Sequence, residues 1–468
     1  MPASTVTCAG CHGTRAEGKT EGGVTAGGLT WANLTKPYGH THPTGREHGP
    51  FDEASFRRAV AQGIDPAGNS LLAAMPRFRM SAEDVADLLA YLKAIEHDRD
   101  PGVSEASVKV GTILPTKGAL AGLGAAMLDV LRAFFEDLNG KGGIYNRRVE
   151  LLAAETDGGA AQAAEGARRL VREGGVFALV GGMSAGADEE LASLAREDEV
   201  PYVGPSTLLP QTGAGANRYI FYLLPGLGEQ ARALVNFDAR RRANPKAGAA
   251  LVYAEGEMGE AAASAAEAQC KRVGCGELKK VTYAGGKFDA ASLARTLEGA
   301  EAAFFFGSPG DEAAFVEAAA AASWSPDLYL LGALTGRGQA VAPPAGFGGK
   351  VFIALPTAPS DVTAEGEGEL RALAAKYKFE LRHTAAQLSA LAAAKVLAEG
   401  LRRGGSDLGR EKLVTALEGL YDYETGLTPR LTFGPNRRVG ALGAYVVMVD
   451  TARKGFVPAG WVKAEGSN

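Results

Sequence analysis

Val108-Lys109-Val110-Gly111-Thr112-Ile113-Leu114 is a β-rich run of the kind a buried strand requires, and from it onward the chain changes rhythm. An Ala-rich helical segment, Ala125 to Leu138, follows and stops before Gly140. A strand over Val149 to Ala154, a helix over Ala160 to Arg172, a strand over Phe177 to Val180, a helix over Asp188 to Glu197 and the short run Tyr202-Val203-Gly204 continue the alternation. Further strands are expected at Ala249 to Tyr253, Ala302 to Phe306, Leu328 to Leu331 and Val351 to Ala354, with helices at Gly259 to Arg272, Ala290 to Glu298 and Glu312 to Ala322 between them. Strands alternating with helices predict parallel sheets covered on both faces. This many units implies two sheets, hence a two-lobed α/β domain with a cleft.

Upstream of this run, His97-Asp98-Arg99-Asp100-Pro101-Gly102 is a charged stretch closed by Pro-Gly, which places a domain boundary there, with domains over 1–101 and 102–468. The first domain is organised around Cys8-Ala9-Gly10-Cys11-His12. Two thiols three positions apart, followed at once by an imidazole, suit covalent attachment of one haem through Cys8 and Cys11 with His12 on the iron. A redox CxxC would follow a strand, and none precedes Cys8; a zinc site would need further Cys or His at regular spacing. Met75 and Met80, in Ala74-Met75-Pro76-Arg77-Phe78-Arg79-Met80, are the candidates for a second axial ligand. Both precede an amphipathic helix from Ser81 to Glu96, opened by Ser81 as N-cap and by Glu83 and Asp84. A second helix is expected from Phe51 to Gln62. The stretch between Cys11 and Phe51 reads as loops, and its His40, His42 and His48 as solvated loop side chains.

Residues Cys8 to His97 resemble class I cytochromes c in the Cys8-to-His12 motif, Met75-Pro76 and Ala90-Tyr91-Leu92-Lys93. The resemblance implies an all-α domain with haem c. It favours Met75 as the ligand, because the spacing from Met75 to Tyr91 is the family's, whereas Met80 stands too close and reads as a core or haem-edge residue. It also implies assembly outside the cytoplasmic membrane. Met1-Pro2-Ala3-Ser4 has neither the charged start nor the apolar segment of a secretory leader, so we expect a periplasmic or otherwise exported protein whose leader has been removed. Cys270 and Cys275, five apart with Gly274 permitting a reversal, are expected to form a disulfide in such a compartment.

The 468 residues carry 22 % charged side chains and a formal charge of −5. This balance gives no sign of nucleic acid as a partner. No apolar run reaches the roughly 18 residues of a membrane-spanning helix.

The span from about Val108 to Trp461 is similar to the periplasmic solute-binding proteins of the leucine-isoleucine-valine type. The residues that carry this are Phe135-Glu136-Asp137-Leu138-Asn139-Gly140-Lys141-Gly142-Gly143-Ile144, Val180 to Ala187, Val200-Pro201-Tyr202-Val203-Gly204-Pro205-Ser206-Thr207, and Thr425 to Phe433. The resemblance implies two lobes, about 107–227 with 355–435 and about 228–354 with 436–468, joined by three crossings and closing on a small ligand. Ligands of open α/β sheets sit beyond the carboxyl ends of strands. Ser184, Ala185 and Gly186 in one such loop, and Ser206 and Thr207 in the next, are therefore expected to hold a polar end, with Tyr253 and Ser308 on the other lobe. Departures from the family shape the ligand. Ala185 stands at its serine position with Ser184 beside it, Leu334 stands at its acidic position, and the aromatic walls near Leu123 and in Phe306-Gly307-Ser308-Pro309 are replaced. A buried ammonium without a carboxylate partner is costly, so the expected ligand is an uncharged or carboxylate-bearing organic molecule rather than a zwitterionic amino acid.

The expected function is an exported haem-bearing solute-binding protein for uptake or sensing, whose partners are the small ligand, a membrane permease or sensor, and a redox protein. The competing reading is an electron carrier whose second domain serves only for docking. A redox enzyme is disfavoured, because His12 and Met75 fill both axial positions and the cleft loops show no nucleophile with a base.

Overall fold

The computed structural model describes residues 7–13, 16, 18–21, 24–42, 44–95, 99–212, 216–244, 248–276, 278–335 and 343–464. The Met1-to-Ser4 stretch and residues 96–98 lie outside these. The chain divides into two compact units, Met1–Asp100 and Pro101–Asn468.

Among its described residues unit 1 holds four helices, α1 (Cys8–His12), α2 (Trp31–Leu34), α3 (Glu53–Gln62) and α4 (Ala82–Ala94). Two short antiparallel ladders accompany them, β1 (Lys19–Glu21) with β2 (Val24–Ala26), and β3 (His40–Thr41) with β4 (Glu47–His48). The ladders add to the all-α expectation and occupy part of the stretch read as loops. Capping fixes the two longer helices. Asp52 accepts from Ser55 N at 2.7 Å at the start of α3, and Ser81 Oγ accepts from Asp84 N at 3.0 Å at the start of α4, while Asp84 Oδ2 accepts from Ser81 N at 2.9 Å. Gly63, at φ 72°, ends α3 in the left-handed conformation that favours glycine. Their apolar faces, Phe56 and Val60 on one and Val85, Leu89 and Leu92 on the other, close a core with Leu34, Phe51 and Phe78.

Unit 2 opens with β5 (Ser107–Pro115), α5 (Ala121–Gly140), β6 (Arg148–Thr156), α6 (Ala160–Arg168), β7 (Ala178–Val180), α7 (Asp188–Glu197), β8 (Tyr202–Val203) and β9 (Ile220–Phe221). These strands form one parallel sheet in the order β6-β5-β7-β8-β9. Then come α8 (Leu227–Arg241), β10 (Ala249–Ala254), α9 (Glu257–Val273), β11 (Leu278–Tyr283), α10 (Ala290–Leu297), β12 (Ala302–Phe306), α11 (Pro309–Ala321), β13 (Asp327–Leu331) and β14 (Val351–Leu355). The chain returns to the first lobe through α12 (Ala364–Tyr377), α13 (Thr384–Gly404) and α14 (Arg410–Glu418), whose apolar residues join the core around β5 to β9. It ends in the second lobe with β15 (Gly443–Asp450) and β16 (Gly455–Lys463). The second sheet runs β11-β10-β12-β13-β14-β15-β16. Its first five strands are parallel, and β15 and β16 add on antiparallel.

Among the described residues three stretches cross between the lobes, near 224–226, 356–363 and 442; Val439 and Ala441 still pack in the first lobe's core, so the second lobe's last segment starts nearer 443 than the expected 436. The helix expected over Ala160 to Arg172 is α-helical only to Arg168 and continues as a π turn, Arg169–Glu173. The sulfurs of Cys270 and Cys275 are bonded, with Cα atoms 5.1 Å apart, at the end of α9, where Gly274 takes φ 73°. Arg410 ties α14 to the first sheet, because its buried guanidinium donates to the carbonyls of Val176, Phe177 and Asp198 at 2.8, 3.1 and 2.8 Å.

Candidate functional sites: a haem-attachment motif and a cleft between two sheets

In unit 1, α1 is one turn of helix with Thr7 as N-cap, its Oγ1 accepting from Gly10 N at 3.3 Å. Residues three apart on a helix share a face, so the turn presents Cys8 and Cys11 together. Both thiols are free and exposed. His12 Nδ1 donates to the carbonyl of Gly27 at 2.7 Å. A carbonyl only accepts, so Nδ1 carries the proton and Nε2 keeps its lone pair for a metal. Asn33 Nδ2 donates to Gly28 O at 2.8 Å and steadies the same turn.

Met75 sits in a pinned loop. Met75 N donates to Leu72 O at 3.1 Å, Leu71 N to Gly63 O at 2.8 Å and Phe78 N to Val60 O at 3.1 Å. Arg77 donates to the carbonyls of Leu71 and Met75 and lies against Gly63, where a Cβ would strike its guanidinium. Met75 is half-buried on this loop, whereas Met80 packs against the Phe56, Val85 and Leu89 core. Two free thiols on one face, an imidazole with a free Nε2 and a thioether on an anchored loop form a donor set that fits a covalently held haem.

His40, His42 and His48 are not independent solvated side chains. His48 is 7 % exposed, and the three rings lie with centroids 5.1 to 6.0 Å apart. Arg46 donates to His42 Nε2 at 2.8 Å and to the buried Asp65 at 2.7 Å, so it links the imidazole to a carboxylate. Burial and then the Arg46 charge hold His42 below the usual imidazole range. The lone pair that a metal would use is taken up by an arginine N–H.

In unit 2, the first sheet reverses its strand order between β5 and β7, and the second between β10 and β12. Such switch points are where open α/β sheets receive ligands. Ser184, Ala185 and Gly186 follow β7; Ser206 and Thr207 follow β8; Tyr253 is the last residue but one of β10; Ser308 follows β12. The two loops of the first lobe are joined. Met183 and Ser206 form a parallel bridge, and Ser206 N donates to Gly182 O at 2.8 Å. Gly182 permits the approach, since a Cβ there would meet Tyr202 Oη at 2.5 Å and Ile113 O at 2.9 Å. Ala185 is held at φ 51°, a conformation an L side chain adopts at a cost. Ser184 is 4 % exposed, and Ser206 and Thr207 are half-buried. Thr207 Oγ1 accepts from Leu209 N at 2.9 Å. Asp188, Glu189 and Glu190 occupy the first turn of α7 and already offset its dipole, so an anion here would be held by directed hydrogen bonds rather than by the helix field.

On the second lobe, Tyr253 is half-buried. Ser308 is exposed and its hydroxyl is committed locally, accepting from Asp311 N at 3.2 Å and donating to Asp311 Oδ2 at 2.7 Å as the N-cap of α11. Leu334 packs against the lobe's core. Sequence reading missed Glu312, which is 3 % exposed at the same end of this sheet. In Pro309-Gly310-Asp311-Glu312 it looks like an ordinary helix-start acid, and only its spacing from Phe315, Val316 and Ala319 puts it on the buried face of α11.

The family model of the periplasmic binding proteins matches residues 107–455, and that of cytochrome c matches residues 3–96. The chain belongs to the periplasmic binding protein family and carries a cytochrome c domain ahead of it. That domain implies a covalently bound haem c. Among curated relatives, Leu/Ile/Val-binding protein homolog 7 of Brucella abortus (strain 2308) is 25 % identical over 206 residues, which is 42 % of this chain and 51 % of that protein. The chain thus spans about half the length of the curated relatives first matched. A branched-chain amino acid ABC transporter from Thermus thermophilus with bound valine superposes with a TM-score of 0.59 at 17 % identity, covering 77 % of this chain and 98 % of that one. A solute-binding protein from R. palustris in complex with benzoate gives 0.54 at 20 % identity, with the same coverages. These structural likenesses show the fold. Among the described residues no helix is long and apolar enough to cross a membrane.

Proposed function

We propose that this is an exported haem-bearing solute-binding protein, whose unit 2 captures a small carboxylate-bearing or uncharged organic molecule between its lobes for uptake or sensing, and whose unit 1 carries one electron. The observation that carries the binding reading is the bridge between Met183 and Ser206, which sets two ligand-facing loops side by side at the carboxyl edge of the first sheet. Ser184, Ala185, Gly186, Ser206 and Thr207 hold the ligand's polar end through hydroxyls and backbone N–H groups, and Tyr253 and Ser308 contribute to the opposing wall. Leu334 supplies no charge for an α-ammonium. The benzoate bound by the R. palustris protein is a carboxylate of this kind. Closure is a hinge motion absorbed by the three crossings.

Haem, when bound through Cys8 and Cys11, supplies the one-electron chemistry. The chain's own part is to hold His12 in the tautomer that leaves Nε2 free and to present Met75 from its pinned loop. A membrane permease or sensor and a redox protein are the partners this reading requires.

Native mass spectrometry of protein matured in a periplasm-competent host tests the reading, and a copurified organic acid is the expected result. An empty cleft that also fails to bind any carboxylate would favour the docking-only alternative. Leucine should bind weakly, and a carboxylate without an α-ammonium better. Ser206→Ala removes one directed polar contact and should weaken the best carboxylate by about ten- to a hundredfold in calorimetry. Micromolar leucine binding by the unaltered protein would sink the ligand argument.

A further inference from the structure

Four acids are buried among the described residues, and three of them face an arginine. Asp65 meets Arg46 at 2.7 Å, Glu229 meets Arg232 at 2.8 Å, and Asp238 meets Arg242 at 2.6 Å. Glu312, 3 % exposed, has no ion pair with a lysine or arginine among the described residues. A buried carboxyl without a cation is costly and calls for a reason.

Its place suggests one. Glu312 lies in the first turn of α11, which begins just past the carboxyl end of β12. Its hydrogen-bond partner is Thr335, four residues past the carboxyl end of the neighbouring strand β13. The contact therefore spans the edge of the second sheet to which the switch point assigns ligands. The Thr335 hydroxyl also lies within hydrogen-bond reach of Leu331 O, at 3.0 Å. The contact with Thr335 favours the charged carboxyl and burial favours the neutral one, and in either form Glu312 keeps an oxygen able to accept. Burial is the larger effect and pushes the Glu312 carboxyl up to about 7.

We propose that Glu312, set by Thr335, is the specificity residue of the second lobe, and that its free carboxyl oxygen accepts a hydrogen bond from a hydroxyl on the ligand's end opposite the carboxylate. This rests on the cleft reading given above and narrows the ligand class to hydroxylated carboxylates.

The test measures affinities of the whole chain, by calorimetry, for acids that differ by one hydroxyl at the end opposite the carboxylate: valerate with 5-hydroxyvalerate, and benzoate with 4-hydroxybenzoate. In the unaltered protein the hydroxylated member of at least one pair should bind about tenfold tighter or better. Glu312→Leu should bring that ratio to about one, whereas Glu312→Gln, whose amide carbonyl still accepts, should keep part of it. Thr335→Val should lower the ratio with Glu312 intact, which guards against a Glu312 variant that fails to fold. Equal binding within every pair, or a ratio that survives Glu312→Leu, overturns the proposal while leaving the cleft reading in place. Binding of none of these acids overturns the carboxylate reading and this one with it.

Discussion

In haem-loaded protein, Met75→Ala should lose the long-wavelength band of thioether-to-iron ligation and shift the reduction potential downward, while Met80→Ala should keep the band and lose stability. A thioether ligand raises the potential of the iron, so its removal has a predictable sign. The two methionines differ in how the chain holds them. Met75 hangs from a loop whose backbone is tied at Leu71, Leu72 and Phe78 and whose carbonyl is taken by Arg77. Its side chain is thus presented rather than packed. Met80 is half-buried against the core of unit 1, and truncating it leaves a void worth on the order of 2 kcal/mol. Optical spectra and denaturant midpoints on the same two variants separate the roles. Loss of the band in Met80→Ala alone would reverse the assignment.

The second large effect belongs to Glu312 and appears in stability against pH. Its carboxyl, raised by burial to about 7 in the folded protein, titrates near 4.5 when unfolded. The folded state therefore binds this proton more tightly. The resulting stabilisation is complete below pH 4.5 and is lost as pH rises through about 7. The difference corresponds to something on the order of 3 kcal/mol between the two limits, smaller if water or a ligand reaches the site. Glu312→Gln keeps the shape and removes the titration, so it should flatten the stability profile over that window and be the more stable protein at pH 8. Chemical unfolding at pH 5 and pH 8 measures this. Parallel profiles for the two proteins would show that Glu312 is charged, or solvated, throughout.

Both halves of the molecule were legible where local chemistry suffices. The Cys8-to-His12 motif needs only spacing, and α4 is announced by Ser81 and Asp84 before its apolar face begins. Short apolar strands between Ala-rich helices placed β12 over Ala302–Phe306 and α7 over Asp188–Glu197 to the residue. Elements without such contrast were passed over. Helix α13 is buried along most of its length, from Gln387 through Leu401, so its sequence lacks the polar stripe that gives an amphipathic helix its period. Helices α8, α12 and α14 and strands β15 and β16 likewise enter only with the structure.

The sequence by itself determined the boundary near Pro101, the haem-attachment motif, the alternation that makes two parallel sheets, and the loops that follow β7 and β8. Each of these is a property of residues close together in the chain. Only the tertiary structure decided that β15 and β16 close the second sheet antiparallel, since that depends on the chain returning from one lobe to the other. It also decided that Arg46 stands between His42 and Asp65, and that Glu312 is buried opposite Thr335 rather than solvated at a helix start. Burial and pairing of polar groups depend on which distant segments meet, because a carboxyl or imidazole takes its charge from the water and partners the fold leaves it.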